Sequence, residues 1–189
     1  MQELTPILAA AGQLVDFCRA RGWLCCLIGG LAVQRWGEPR FTRDADLTLL
    51  TGFGGEADFI NVLLGEFTPR RADAADFAAR SRVLLLRAEN GVDLDVALGA
   101  LPFEQRVIQR ASDYEFRAGC RLPVCSAEDL VVHKVFAGRE RDWVDVRGVL
   151  DRRHGKIDLA LVRRELKPLL EAKEEIEAMA KFEKLVSEF

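Results

Sequence analysis

Arg43-Asp44-Ala45-Asp46-Leu47-Thr48-Leu49-Leu50 alternates two carboxylates with apolar side chains before an almost wholly apolar end. In a β-strand, residues two apart point to the same face. Asp44 and Asp46 are therefore expected to project together while Ala45, Leu47 and Leu49 pack behind them. Two like charges held side by side repel unless a cation neutralises them. The hard ion that suits such an oxygen pair is Mg²⁺, which usually reaches proteins through one or two carboxylates and the phosphates of a substrate. The stretch predicts a strand with a metal-holding face and points to phosphate chemistry on a nucleotide.

Fourteen residues before Asp44 lie the paired glycines of Leu27-Ile28-Gly29-Gly30-Leu31. The apolar run Trp23 to Ile28 reads as a buried strand, and Gly29-Gly30 turns it into a short helix around Leu31 to Trp36, ended near Gly37 and Pro39. Without Cβ atoms, Gly29 and Gly30 let phosphate oxygens approach the backbone, and the N-terminus of the helix offers free N–H donors. Each feature alone is ordinary: a glycine pair marks a turn, and an edge strand carries carboxylates as a solvated face. Their order and spacing together point to function.

A two-ion site needs a third acidic group. The apolar segments from Ser81 to Ala88 and from Val92 to Leu98 flank Glu89-Asn90-Gly91, whose Asn-Gly step signals a hairpin. The second segment carries Asp93 and Asp95, which share a face, so parity does not choose between them. Asp95 is preferred because it sits deeper in the apolar run, whereas Asp93 lies near the turn.

The remaining pattern is largely helical. Helices are expected over Leu4 to Arg21, Glu56 to Leu64, Phe103 to Arg110 and Trp143 to Leu150, and another after Ser126 as N-cap. Tyr114 to Val124 reads as a hairpin through Gly119. From Asp158 to the end an apolar stripe predicts a helical tail with a kink at Pro168.

At 189 residues and a formal net charge of −3, the chain suits one domain, or a compact domain with a helical extension, and no global positive field advertises nucleic-acid binding. Cys18, Cys25, Cys26, Cys120 and Cys125 are odd in number and irregularly spaced, which argues for buried thiols rather than a disulfide framework or a zinc site. The start of the chain lacks a signal-peptide pattern and no run suits a membrane span. No membrane association and a cytoplasmic location are expected.

Gly29-Gly30, Arg40, Thr42, Asp44-Ala45-Asp46 and Asp95 resemble the signature of the polymerase-β-type nucleotidyltransferase superfamily. Glu128-Asp129-Leu130, His133-Lys134, Ala137-Gly138-Arg139 and Arg141-Asp142-Trp143-Val144-Asp145-Val146 resemble the later motif of its AbiEii/AbiGii-like branch, related to toxin components of toxin–antitoxin and phage-defence systems. The resemblance covers about residues 20–152. It implies an α+β fold, a mixed sheet flanked by helices over residues 1–152, with residues 153–189 as a helical extension packed on it. It also implies a Mg²⁺-dependent transferase that moves a nucleoside monophosphate from an NTP to an acceptor hydroxyl on a tRNA end, a protein or a small molecule, with an antitoxin as partner. Asp44, Asp46 and Asp95 would hold metal and carry catalysis, and Gly29, Gly30, Arg43 and Lys134 would contact the nucleotide. Gly30 stands where Ser is often found in the family turn. Asp142 and Asp145, three apart on a helix, have three open roles: positioning Lys134 or Arg139, assisting proton transfer, or biasing a helix N-terminus. His133 is expected to pack rather than act as a base.

Two competitors remain at this level. One takes Asp44-Ala45-Asp46-Leu47-Thr48 as the nucleophile loop of a haloacid-dehalogenase-like phosphatase, which should follow directly on an apolar strand, whereas Phe41-Thr42-Arg43 precedes it here. The other is a catalytically inactive protein of the same fold that binds a nucleotide or a protein partner.

Overall fold

The computed structural model describes residues 5–189, so Leu4, the expected start of the first helix, lies outside the described residues. The chain forms two compact units, one comprising the residues up to Leu31 with Phe41–Cys125, the other Ala32–Arg40 with Ser126–Phe189. The first holds a seven-stranded mixed sheet. Its strands are β1 (Cys25–Leu27), β2 (Asp44–Leu50), β3 (Thr68–Pro69), β4 (Val83–Arg87), β5 (Asp93–Gly99), β6 (Ser112–Arg117) and β7 (Cys120–Val124), in the order β3-β4-β5-β2-β1-β7-β6. The pairs β2–β5 and β1–β7 are parallel and the others antiparallel.

One face of the sheet is apolar. Leu47 and Leu49 on β2, Leu94, Val96 and Leu98 on β5, and Leu84 and Leu86 on β4 are all buried, as alternation predicts for strands with one face against a core. Helix α1 (Pro6–Arg19) packs against β1, β2 and β7. Pro6 suits its first turn, where no N–H partner is needed, and Leu8, Ala11, Leu14, Val15 and Cys18 recur at helical spacing on its buried side. The five cysteines are all buried.

The β4–β5 hairpin forms around Asn90-Gly91. Gly91 alone in that turn takes a left-handed φ of 82°, and its N–H donates to Ala88 O at 2.9 Å. Asn90 folds its amide inward, with Oδ1 accepting from Val92 N–H at 3.2 Å and Nδ2 donating to Pro6 O at 2.8 Å. The turn residue thus also ties the hairpin to the start of α1. Between Leu64 and Ser81 no periodic pattern stands out, yet β3 and a helix, α4 (Ala74–Ser81), form there. β3 has only two residues, too few for alternation to be visible, and pairs with β4.

Helix α2 runs from Gly29 to Trp36, α3 from Glu56 to Leu64 and α5 from Pro102 to Arg110. The second unit is built from α6 (Ala127–Ala137), α7 (Glu140–Arg152), α8 (Leu159–Lys173) and α9 (Ile176–Val186). Ser126 caps α6 as its position suggests: Oγ accepts from Asp129 N–H at 3.1 Å. Helices α7, α8 and α9 all pack on α6, so the C-terminal helices share its core through Val162, Leu166, Leu170 and Phe182. The tail has a break besides the kink expected at Pro168. Pro168 lies inside α8 without ending it, and the chain turns at Glu174, which adopts a left-handed φ of 61°. Burial of Leu166 and Leu170 on either side outweighs the hydrogen bond that Pro168 cannot donate. No helix of the described residues is long and apolar enough to cross a membrane.

Candidate functional site

The parallel register of β2 and β5 pairs Asp44 with Asp93 and Asp46 with Asp95. Register partners in a sheet share a face, so four carboxylates form a two-by-two ladder opposite the apolar core. Ligand oxygens of three of them, Asp44, Asp46 and Asp95, lie within 4.8 Å of one another, and all three are half-buried. An octahedral Mg²⁺ with oxygens at about 2.1 Å holds neighbouring ligands roughly 3 Å and opposite ones roughly 4 Å apart. Three hard oxygen donors gathered within 4.8 Å, slightly wider than that span, are the donor chemistry such an ion takes, and an acidic triad of this kind can bind a divalent metal. Because Asp44 and Asp46 lie within β2 itself, the loop position required by the phosphatase reading is not met.

Gly29 and Gly30 open α2 directly against this face. Ile28 N–H donates to Asp46 O at 3.0 Å, which brings the turn alongside β2. Gly29 has a φ of 57°, and a Cβ there would lie 1.9 Å from Asp46 Oδ2. A Cβ on Gly30 would lie 2.3 Å from Thr42 Oγ1. The room left by the missing side chains is therefore filled by Asp46 and Thr42. The expectation of free donors at this helix start is corrected for Gly30, whose N–H points to Asp46 Oδ2 at 3.3 Å. Thr42, nearly buried, donates from Oγ1 to Asp44 Oδ1 at 2.9 Å. The turn and Thr42 thus orient one carboxylate each. Thr42 stands in space where a side chain at position 30 would otherwise reach, which accounts for glycine rather than serine there.

A residue that sequence reasoning missed, Arg70, completes the face. Its guanidinium pairs with Asp95 Oδ1 and lies 3.4 Å from Asp93 Oδ2. Arg87 on β4 donates to Asp93 at 2.8 Å. Burial pushes the Asp95 carboxyl above its usual range; Arg70 opposes that rise, while the negative charges of Asp44 and Asp93 add to it. No periodicity marks Arg70, because it follows a two-residue strand whose partner is set by long-range pairing. Arg43, expected to contact nucleotide, is exposed just before β2.

The second unit contains its own charge cluster. Lys134, on α6 and almost fully buried, sits 3.0 Å from Asp142 Oδ1 and 2.8 Å from Asp145 Oδ2. Asp142 also accepts from Arg139 Nε at 2.7 Å and caps the start of α7. Asp145 receives two bonds from Arg40, at 2.7 and 2.8 Å. Arg40, quoted above in the nucleotidyltransferase signature, thus directs two guanidinium nitrogens at Asp145. Burial raises the Asp145 pKa, but the bonds from Arg40 and Lys134 outweigh it and hold the carboxyl below its usual range. Of the roles open to these acids, Asp142 positions Lys134 and Arg139 and also serves the helix N-terminus. His133 is a packing residue: Nε2 is shut off from solvent, and burial lowers its pKa to about 4, with Lys134 adding to the fall and Asp129 opposing it.

The mixed sheet with its flanking helices is the fold of nucleotidyltransferase-like proteins. Residues 24–185 match the family described as nucleotidyl transferase AbiEii toxin, Type IV TA system, and the chain belongs to that family. The match runs beyond residue 152 and takes in α8 and most of α9. No curated protein matches the sequence. Among solved structures, an antigenic nucleotidyltransferase-like protein from Paracoccidioides brasiliensis superposes with a TM-score of 0.54 at 14% identity, covering 93% of this chain and 92% of that one. The antibiotic-resistance factor ANT(2'')-Ia gives 0.53 at 13% identity, covering 93% and 97%. At these identities the likeness speaks for the fold.

Two outcomes follow. Gly29→Ala forces an L-residue into left-handed backbone, a cost of about 1–2 kcal/mol, and drives Cβ into Asp46. Urea unfolding should show a loss of at least that size, whereas Gly12→Ala, which meets nothing within 4 Å, should leave stability unchanged or raise it by up to about 1 kcal/mol. For His133 the folded pKa of about 4 lies below the unfolded value of about 6.5. Below pH 6.5 the unfolded chain binds the extra proton, so stability should fall as pH drops from about 6.5 to about 4, by on the order of 3 kcal/mol. Urea midpoints measured across that range should lose this slope in His133→Gln.

Proposed function

We propose that this nucleotidyltransferase moves a nucleoside monophosphate from an NTP to an acceptor hydroxyl with Mg²⁺, as a component of a toxin–antitoxin system. The observation that carries the reading is the convergence of Asp44, Asp46 and Asp95 within 4.8 Å, on a face whose glycine turn orients Asp46. In this reading Asp44 and Asp46 are the principal ligands for the nucleotide-bound Mg²⁺, and Asp95 helps to hold a second ion. When bound, the ion neutralises phosphate charge and polarises the phosphoryl oxygens. The acceptor oxygen attacks the α-phosphorus, its proton passes to the Asp95 carboxylate, and the bond from the α-phosphorus to the departing pyrophosphate breaks. Thr42 keeps Asp44 in one orientation, and Gly30 N–H does the same for Asp46. Such transfer depends chiefly on positioning and electrostatics, which suits a site whose ligands are each fixed by a neighbour.

Arg43, exposed beside β2, is proposed to meet the triphosphate, and Gly29 and Gly30 to present the turn backbone to it. The resemblance adds Lys134 as a phosphate-neutralising group. Residues 1–152 are proposed to carry the transferase and residues 153–189 a helical extension. The partner is an antitoxin protein, and the acceptor is an RNA, a protein or a small molecule.

Incorporation from each α-³²P-labelled NTP into RNA, protein and small-molecule fractions tests this directly. Label should enter one acceptor class in the presence of Mg²⁺ and vanish in Asp44→Asn/Asp46→Asn, with a loss of at least about 10³-fold, the scale of removing a principal electrostatic stabiliser. Equal label with wild type and double variant would refute the assignment.

A further inference from the structure

Arg70 is not explained by the roles given to the acidic face. Its backbone N–H donates to Leu85 O at 3.0 Å, and Leu85 is the register partner of Asp95. The residue is thus pinned to the strand next to the carboxylate it pairs with. Its side chain is only 24% exposed and that of Asp95 29%, so solvent screens the pair less than a surface ion pair. From there one guanidinium reaches both Asp93 and Asp95.

The charges on this face can be counted. Asp44, Asp46, Asp93 and Asp95 supply four negative charges on one side of β2 and β5. Arg70 and Arg87 pair with Asp93, and Arg70 also pairs with Asp95. Two guanidinium charges therefore offset the β5 carboxylates and leave the two charges of Asp44 and Asp46, matching one divalent cation. A second cation drawing on Asp95 would have to sit beside a fixed positive group.

We propose that Arg70 is a positioning residue that sets the ion stoichiometry of the site. It occupies Asp95 as a built-in counter-charge, so the face binds one divalent cation tightly at Asp44 and Asp46, and a second only weakly until the phosphates of a nucleotide add negative charge. The inference rests on the metal site proposed above. It assigns Arg70 no contact with the reacting atoms: its effect passes through Asp95.

The test is a Mn²⁺ titration of the whole chain without nucleotide, with free Mn²⁺ read by electron paramagnetic resonance. Wild type should bind one Mn²⁺ that Asp44→Asn removes, and a second at least about tenfold more weakly. Arg70→Gln should tighten the second ion by about tenfold, as expected when a nearby like charge is withdrawn. Arg70→Lys, which keeps the charge, should retain the weak second ion. Arg87→Gln, which leaves Asp95 paired, should change it less than Arg70→Gln does. Arg70→Met carries the same expectation as Arg70→Gln if the latter fails to fold. An unchanged or weaker second ion in the neutral variants overturns the role of Arg70. A wild type whose Mn²⁺ binding is absent or indifferent to Asp44→Asn overturns the metal site itself.

Discussion

The site depends on the parallel pairing of β2 with β5. A strand by itself can align Asp44 with Asp46, but only the neighbouring strand brings Asp95 to them, and only one register does so. A slip of one residue would turn the β5 carboxylates toward the apolar face and Leu94 and Val96 away from it. The hydrophobic core therefore fixes the register, and the register fixes the spacing of the acids. Burying Leu94, Val96 and Leu98 with Leu47 and Leu49 is in this sense what assembles the polar face.

Around the ladder, each acid has a named neighbour. Thr42 holds Asp44, Gly30 N–H meets Asp46, Arg70 pairs with Asp95, and Arg87 with Arg70 engages Asp93. The two glycines serve this arrangement through absence: side chains at positions 29 and 30 would collide with Asp46 and Thr42. Fixed partners of this kind are the preorganisation that the proposed electrostatic catalysis would require. In the second unit, Lys134, Arg40 and Arg139 are tied through Asp142 and Asp145. Removing one member would strand buried charge, which is costly.

What could be read from sequence is what local rules determine. The alternation of β2, the helix start at Ser126, the hairpin at Asn90-Gly91 and the buried cysteines all follow from short-range chemistry. The choice between Asp93 and Asp95 had no local answer by parity, since both face the same way; the structure adds that Asp93 is paired with Arg87 and Arg70, whereas Asp95 joins the close oxygen cluster. Arg70 was invisible because its placement comes from a two-residue strand paired across the sheet. Nothing in the sequence reveals that Asp46 and Thr42 stand where side chains at positions 29 and 30 would reach. The break at Glu174 carries no glycine signal, and Pro168, where a kink was expected, lies inside α8 between buried neighbours.

The central claim is that Asp44 and Asp46, brought against Asp95 by the β2–β5 register, hold the divalent ion. Crystals grown with Mn²⁺ and a non-hydrolysable NTP analogue, examined by anomalous scattering, address it most directly. An anomalous peak is expected within about 2.5 Å of carboxylate oxygens of both Asp44 and Asp46. A peak bound elsewhere on the chain, with Asp44 and Asp46 away from the nucleotide phosphates, would contradict it.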